Sequence, residues 1–355
     1  MTQRSPLRIV VAADPELPVP PALYGGIERV IQFLVDGLAA RGHEVTLFAH
    51  RDSDVTCRLV AYGGLSSASY ADTACNAAAL ARHVLREQVD VVHSFARIAY
   101  LAPLALSRVP KFMSYQRAVT PRSIRTARRL FGDTLEFVAC GHHMIGGLGP
   151  LAPWHVVPNG VPLARYQFTP TVPPGAPLVF LGRVEAIKGP HLAIEAARLA
   201  GRPLVIAGNI PDGHRAYFDA HIAPHVDGRM VMYIGPIDDA AKNTLLGSAA
   251  ALLMPITWEE PFGIVMAEAL ACGTPVIGFR RGAVPEVVRN AVTGFIVDTV
   301  RGMADAVDCL HALSRAACRA DAEARFSDTA IVRAYEALYM NRLSHEPGRA
   351  TQAVG

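Results

Sequence analysis

Short apolar runs of four to six residues alternate with longer helical patterns along this chain, and the alternation runs twice. The first pass predicts strands at 7–13, 44–49, 89–93, 111–115, 135–139 and 154–157, with helices near 27–40 and 71–88. The second predicts strands at 178–181, 204–207, 231–234, 251–254, 275–277 and 295–297, again with helices between them. Between the passes, residues 158–177 hold six prolines and two glycines in twenty positions, the composition of a linker. Strands separated by helices build parallel sheets from βαβ units. The expectation is α/β: a domain over 1–157, a linker over 158–177 and a second domain over 178–326. A helix over 327–343 is expected to pack back onto the first domain.

Composition narrows the function. At 355 residues the chain has room for about two domains, each with its own core. With 51% hydrophobic and 18% charged residues, disorder is excluded as the main state. No run approaches the ~18 apolar residues that span a bilayer. The stretch 1–11 resembles neither a signal peptide nor a transit peptide, so the expected compartment is the cytoplasm. A net charge of +3 does not argue for nucleic acid. Six cysteines (Cys57, Cys75, Cys140, Cys272, Cys309, Cys318) form no C-x-x-C and read as scattered, buried, reduced thiols.

Within 91–132 stand eight basic residues and no acidic one: Arg97, Arg108, Lys111, Arg117, Arg122, Arg125, Arg128 and Arg129. The last four share one helix face. They fit a solvated basic face, an acidic acceptor, or peripheral contact with an anionic membrane on its inner side. Ile124, Leu130 and Phe131 between them read as core.

In open α/β sheets, ligands bind at the carboxyl ends of the strands, so motifs that follow strands carry the chemistry. Glu260-Pro261-Phe262-Gly263…Glu268 follows the strand at 251–254. Pro261 suits a first helical turn, which would put Glu260 near the N-cap and offer the Phe262 and Gly263 amides to a ligand. Eight residues of helix would then set Glu268 ~12 Å along the axis from Glu260. That separation suits two contacts to one extended ligand; an N-cap Glu with one surface Glu is the alternative. Gly182-Arg183…Lys188-Gly189 follows the strand at 178–181 and reads as two cations for a diphosphate or two solvated side chains. Tyr24-Gly25-Gly26 follows the first strand and permits close backbone approach to a phosphate or sugar. Asp52-Ser53-Asp54 is a D-x-D, but no further acidic partner is evident, so a solvated loop is expected and no metal. Trp258 reads as a packed loop residue.

Together these pieces, in register, resemble the retaining, nucleotide-sugar-dependent glycosyltransferases of family 4, which have the GT-B fold: two Rossmann-like domains facing an interdomain cleft. The glycine loop Gly25-Gly26, the strand end Asp90-Val91-Val92-His93, the element Pro158-Asn159-Gly160-Val161, Arg183 with Lys188, and Glu260 with Glu268 carry the likeness. The resemblance implies transfer of a hexose from a nucleoside-diphosphate sugar to a hydroxyl acceptor, by front-face displacement with retention and without metal or cofactor. UDP is the commonest nucleotide in the family. Arg183 and Lys188 would neutralise the diphosphate, Glu260 would bind sugar hydroxyls and Glu268 the ribose. Gly25, Gly26, Gly182, Phe262, Gly263 and Ile264 would line the donor, and the loops with Gly208, Asn209 and Ile237 would read the base. His93 would stand near the sugar or acceptor. Gln116 takes the place of a family histidine and, with Arg117, falls on the acceptor side. A non-catalytic nucleotide-sugar-binding protein and a sugar-nucleotide epimerase are the alternatives on the same scaffold.

Overall fold

The structure, a computed structural model, describes residues 6–21 and 26–345. These form two compact units, one ending at Asn159 and resuming at Asp328, the other running from Gly160 to Ser327.

The first unit is built on β1 (Arg8–Ala12), α1 (Gly26–Ala40), β2 (Glu44–Ala49), β3 (Arg58–Ala61), α2 (Tyr70–Arg86), β4 (Val91–Ser94), β5 (Lys111–Tyr115), α3 (Pro121–Phe131), β6 (Leu135–Ala139) and β7 (Trp154–Val156). Its seven strands lie in the order β3-β2-β1-β4-β5-β6-β7, all parallel. The central strands are buried on both faces, as a sheet covered by crossover helices requires. The helices start where the sequence supplies a capping oxygen: Ser69 accepts from the Asp72 N–H, and Thr120 from Ser123 with Pro121 next to it. Each such cap contributes about 1 kcal/mol.

The second unit holds β8 (Leu178–Leu181), α4 (Pro190–Leu199), β9 (Leu204–Ala207), α5 (Arg215–His221), β10 (Val231–Tyr233), α6 (Asp239–Ser248), β11 (Ala251–Met254), α7 (Ile264–Ala271), β12 (Val276–Phe279), α8 (Val284–Val287), β13 (Gly294–Val297), α9 (Val300–Asp308) and α10 (Arg315–Arg325). The strand order is β10-β9-β8-β11-β12-β13, again all parallel. The order reverses between β8 and β11, the kind of switch point past whose carboxyl ends open α/β sheets bind ligands. The last helix, α11 (Asp328–Ser344), belongs to the first unit. There Val332 meets α1 at Gly37, where a Cβ would lie 2.6 Å from the valine methyl, and Glu336 accepts from Arg41 at 2.5 Å and from His43 at 3.0 Å.

Four details depart from the sequence reading. Strand β3 was not expected: its Leu59-Val60-Ala61 run is short, and at the sheet edge none of its four residues is fully buried. The proline-rich segment is not a free linker: the Thr169 N–H donates to the Cys272 carbonyl, Gln167 N–H to the Asn243 side chain, and the Phe168 ring lies against Gly273. Leu130 is 48% exposed, so only Ile124, Ala127 and Phe131 anchor α3. Cys75 and Cys309 are exposed, though all six cysteines are free.

The basic block is also divided by the fold. Lys111 is fully buried and spends its ammonium on the Ser107 and Val109 carbonyls and Thr134. Arg128 pairs with Asp133 at 2.9 Å. Arg122, Arg125 and Arg129 remain exposed on α3.

Candidate functional site

The segments that follow β8 and β11 bring Lys188 and Glu260 together. After β8, the chain runs through Gly182 and Arg183 to a short 3-10 turn, Ala186–Lys188. After β11 it runs through Trp258, Glu259 and Glu260. The Thr257 N–H donates to the Ile187 carbonyl at 2.9 Å, which ties the two segments side by side. Lys188 then forms an ion pair with Glu260. The Glu260 carboxylate is largely buried at 8% exposure, and it also accepts from the Trp258 indole N–H at 3.1 Å. The Lys188 ammonium stands 4.8 Å from the centre of the same indole ring.

The expected helix from Pro261 does not form. Helix α7 starts at Ile264, with Gly263 as its N-cap, so Glu260 lies in the preceding loop. The backbone explains this. The Glu260 carbonyl accepts from the Ala283 N–H at 3.0 Å, and the Glu259 carboxylate accepts from the Gly282 N–H at 2.8 Å. The loop after β12 thus holds the main chain that a helix would need. Gly282 is required there: its φ is +50°, and a Cβ would lie 2.4 Å from the Glu260 nitrogen. Pro261 still serves the loop, since it has no N–H to satisfy. The Phe262 side chain is buried edge-on against Phe326, so that residue offers the site only backbone. Ile264, the first residue of α7, is half-buried.

Glu268 is not a surface residue. At 6% exposure it accepts from the Tyr166 hydroxyl at 2.7 Å and from Lys242 at 2.6 Å. Burial works against the Lys242 charge, but Glu268 and Asp239 together outweigh it and raise the lysine above its ordinary range. Neither Tyr166 nor Lys242 was singled out in the sequence. The local signal was absent, because Tyr166 lies in the proline-rich stretch and Lys242 in an ordinary amphipathic helix.

Arg183 pairs with buried Glu185 at 2.7 Å. Gly182 and Gly208 meet backbone to backbone, and a Cβ on Gly208 would lie 1.8 Å from the Gly182 carbonyl oxygen. That contact seats the loop after β9 beside the one after β8. Asn209 is exposed, with its carbonyl taken by the Val184 N–H. Ile237 is half-buried just before Asp238, the cap of α6.

In the first unit, the structure encloses His93, which was expected near the sugar or acceptor. The ring is fully buried between the Tyr339 hydroxyl at 2.5 Å and Ser114 at 2.7 Å, so neither nitrogen is open to a substrate. Burial pushes its pKa down to about 3. The folded state therefore holds the neutral ring, while the unfolded chain takes up a proton below about pH 6.5, so stability falls as pH drops through that window. The loss attributable to this ring between pH 7 and pH 5 is expected to be about 2 kcal/mol. Urea unfolding at both pH values, on wild type and on His93→Gln, checks it: an equal pH dependence in the two proteins removes the assignment.

Gln116 exchanges two amide hydrogen bonds with buried Asn159, at 2.9 and 2.7 Å, so its side chain fixes the end of the β7 segment. Arg117 is exposed. Its charge lowers the Asp14 carboxyl, yet burial is the larger effect and leaves Asp14 above its ordinary range. Gly26 opens α1, and Gly25 lies outside the described residues. The D-x-D loop is tied to the chain after β1 through Ser53, whose hydroxyl accepts from the Val19 N–H. Among the described residues no group of three His, Cys, Asp or Glu side chains is placed to hold a metal ion. No described helix is long and apolar enough to cross a membrane.

Comparison with known proteins places both units. Residues 24–165 match the family model described as Glycosyltransferase Family 4, and residues 173–325 match Glycosyl transferases group 1. D-inositol 3-phosphate glycosyltransferase of Mycobacterium tuberculosis is 32% identical over 158 residues, which is 40% of this chain and 32% of that protein. The match thus spans about a third of the curated relative. Among solved structures, AviGT4, a glycosyltransferase involved in Avilamycin A biosynthesis, superposes with a TM-score of 0.70 at 25% identity, covering 96% of this chain and 99% of that one. A glycosyltransferase from Rickettsia africae gives 0.77 at 18% identity, covering 97% and 100%. Anabaena HepE, solved in complex with UDP and glucose, gives 0.71 at 17% identity, covering 94% and 100%.

Proposed function

With its two units matching the family 4 and group 1 models, the chain is a family 4-like glycosyltransferase of GT-B fold, and on that premise we propose that it transfers a hexose from UDP-sugar to a hydroxyl acceptor with retention. The observation that supports this reading most is the meeting of Lys188 and Glu260 where the strand order of the second unit reverses. The complex of HepE with UDP and glucose supports the choice of donor.

In this reading, Arg183 and Lys188 face the diphosphate and stabilise the charge that grows as it leaves, in the place a metal ion would otherwise take. Glu260 accepts from hydroxyls of the sugar. Glu268, steadied by Tyr166 and Lys242, accepts from the ribose. The bond from the anomeric carbon to the phosphate oxygen breaks, and the acceptor oxygen bonds to the same face. The acceptor proton passes to the departing diphosphate.

The test is a thermal-shift screen with UDP-, GDP-, ADP- and dTDP-sugars, followed by turnover with a small acceptor panel. The matching donor at a hundredfold its Kd is expected to add about 2.7 kcal/mol to stability. Absence of any shift with all four nucleotides would remove the reading. A shift without turnover would instead mark a non-catalytic nucleotide-sugar-binding protein.

A further inference from the structure

Trp258 stands beside the Lys188–Glu260 ion pair and touches both charges, which do different work in the proposed reaction. Its indole N–H donates to the Glu260 carboxylate at 3.1 Å, and its ring face lies under the Lys188 ammonium at 4.8 Å. The Glu260 N–H in turn donates to the Trp258 carbonyl at 3.1 Å, which closes the loop into a tight turn and keeps the indole and the carboxylate on one side. An indole meets both demands at once. Its N–H is a donor only, so it can face a carboxylate but not an ammonium. Its π face attracts a cation and cannot serve the carboxylate. Phenylalanine would keep the face and lose the donor. Leucine would lose both.

We propose that Trp258 is a positioning residue that sets the Lys188–Glu260 pair in register, so that the ammonium meets the diphosphate while the carboxylate meets the sugar. This rests on the donor reading above, and two separate readouts keep the two apart.

The chain contains two tryptophans, Trp154 and Trp258, and Trp154 lies on β7 of the first unit. In a Trp154→Phe background the emission reports Trp258 alone. Lys188→Met and Glu260→Gln are each expected to shift its emission maximum without any nucleotide, because each removes a charge at contact with the indole. Turnover of UDP-glucose and binding of UDP are then measured in the otherwise native chain. Trp258→Phe is expected to lower kcat about tenfold, the worth of one charge-assisted hydrogen bond, with UDP affinity within a factor of about three. Trp258→Leu is expected to lower kcat further and to weaken UDP binding as well. A residue that only packs would lower the melting temperature and leave both constants unchanged well below it.

Emission that ignores both charge removals overturns the proposal, as do wild-type kcat and UDP affinity in both Trp258 variants. Wild-type protein that binds none of UDP, GDP, ADP or dTDP overturns the donor reading. An intact emission shift in that case marks the donor reading as the part that failed.

Discussion

Glutamine in place of Glu260 is expected to cut donor turnover by about two to three orders of magnitude, the usual effect of deleting one preorganised electrostatic contact to a transition state. The fold should survive. Glutamine has the same length, can still accept from the Trp258 N–H, and leaves the Ala283 bond to the backbone carbonyl untouched. What is lost is the negative charge that holds Lys188 and, in the proposed reaction, meets the sugar hydroxyls. The diphosphate end behaves differently. Lys188 is freed from its partner, so UDP should bind as well as to wild type or better. The measurement is kcat for UDP-glucose beside the Kd for UDP, with circular dichroism to show an unchanged fold. Turnover within a factor of three of wild type would remove Glu260 from the reaction. Loss of UDP binding in parallel with kcat would instead place the residue on the nucleotide.

The largest expected loss of stability lies away from that pair. Methionine in place of Arg315 is expected to cost about 4 kcal/mol, the sum of several charged hydrogen bonds and of the carbonyls left without a donor. The Arg315 guanidinium donates to the Thr169 carbonyl at 2.7 Å, to Ala249 at 2.9 Å, to Gly247 at 2.8 Å and to the Thr274 hydroxyl at 2.8 Å. One side chain thereby closes the end of α6, the turn after α7 and the proline-rich segment into a single block. Burial pushes its pKa below the ordinary arginine range, but the charge persists at neutral pH. Lysine should recover only part of the loss, because an ammonium cannot reach carbonyls that the planar fork spans. Calorimetry should show the melting temperature of Arg315→Met down by about 10 °C. A fall of less than about 1 kcal/mol in urea unfolding would show that water replaces the guanidinium at no cost.

Arg315 also illustrates what the sequence could not show. Nothing in Ser-Arg-Ala-Ala distinguishes it from the exposed arginines of α3, and its role follows from acceptors 41 to 146 positions away. The strands were more legible. Residues 44–49, 111–115, 135–139, 178–181, 204–207 and 251–254 were expected as strands and are strands with those bounds. Buried parallel strands are continuous apolar runs, a signal each carries within itself. β3 carries only the short run Leu59-Val60-Ala61, left partly in water at the sheet edge, and was missed.

The candidate site was legible as a set of residue types and illegible as a set of pairs. Motif spacing placed Glu260 and Glu268 on one helix, whereas the fold interrupts that helix at Gly263 and gives each carboxylate a different cation. His93 stood at a strand end where a ligand group was expected, yet a helix almost 250 positions later covers it.

The amino-acid order by itself therefore determined the two βαβ series, the strand ends that carry charge and the family resemblance, because each is written in a window of a few residues. Tertiary structure alone decided which polar groups meet: Lys188 with Glu260 across 72 positions, Tyr166 with Glu268 across 102, and His93 with Tyr339 across 246. A buried charge or ring nitrogen must find a partner to offset its lost water. The identity of that partner depends on how the sheets are ordered in space, which no local pattern encodes.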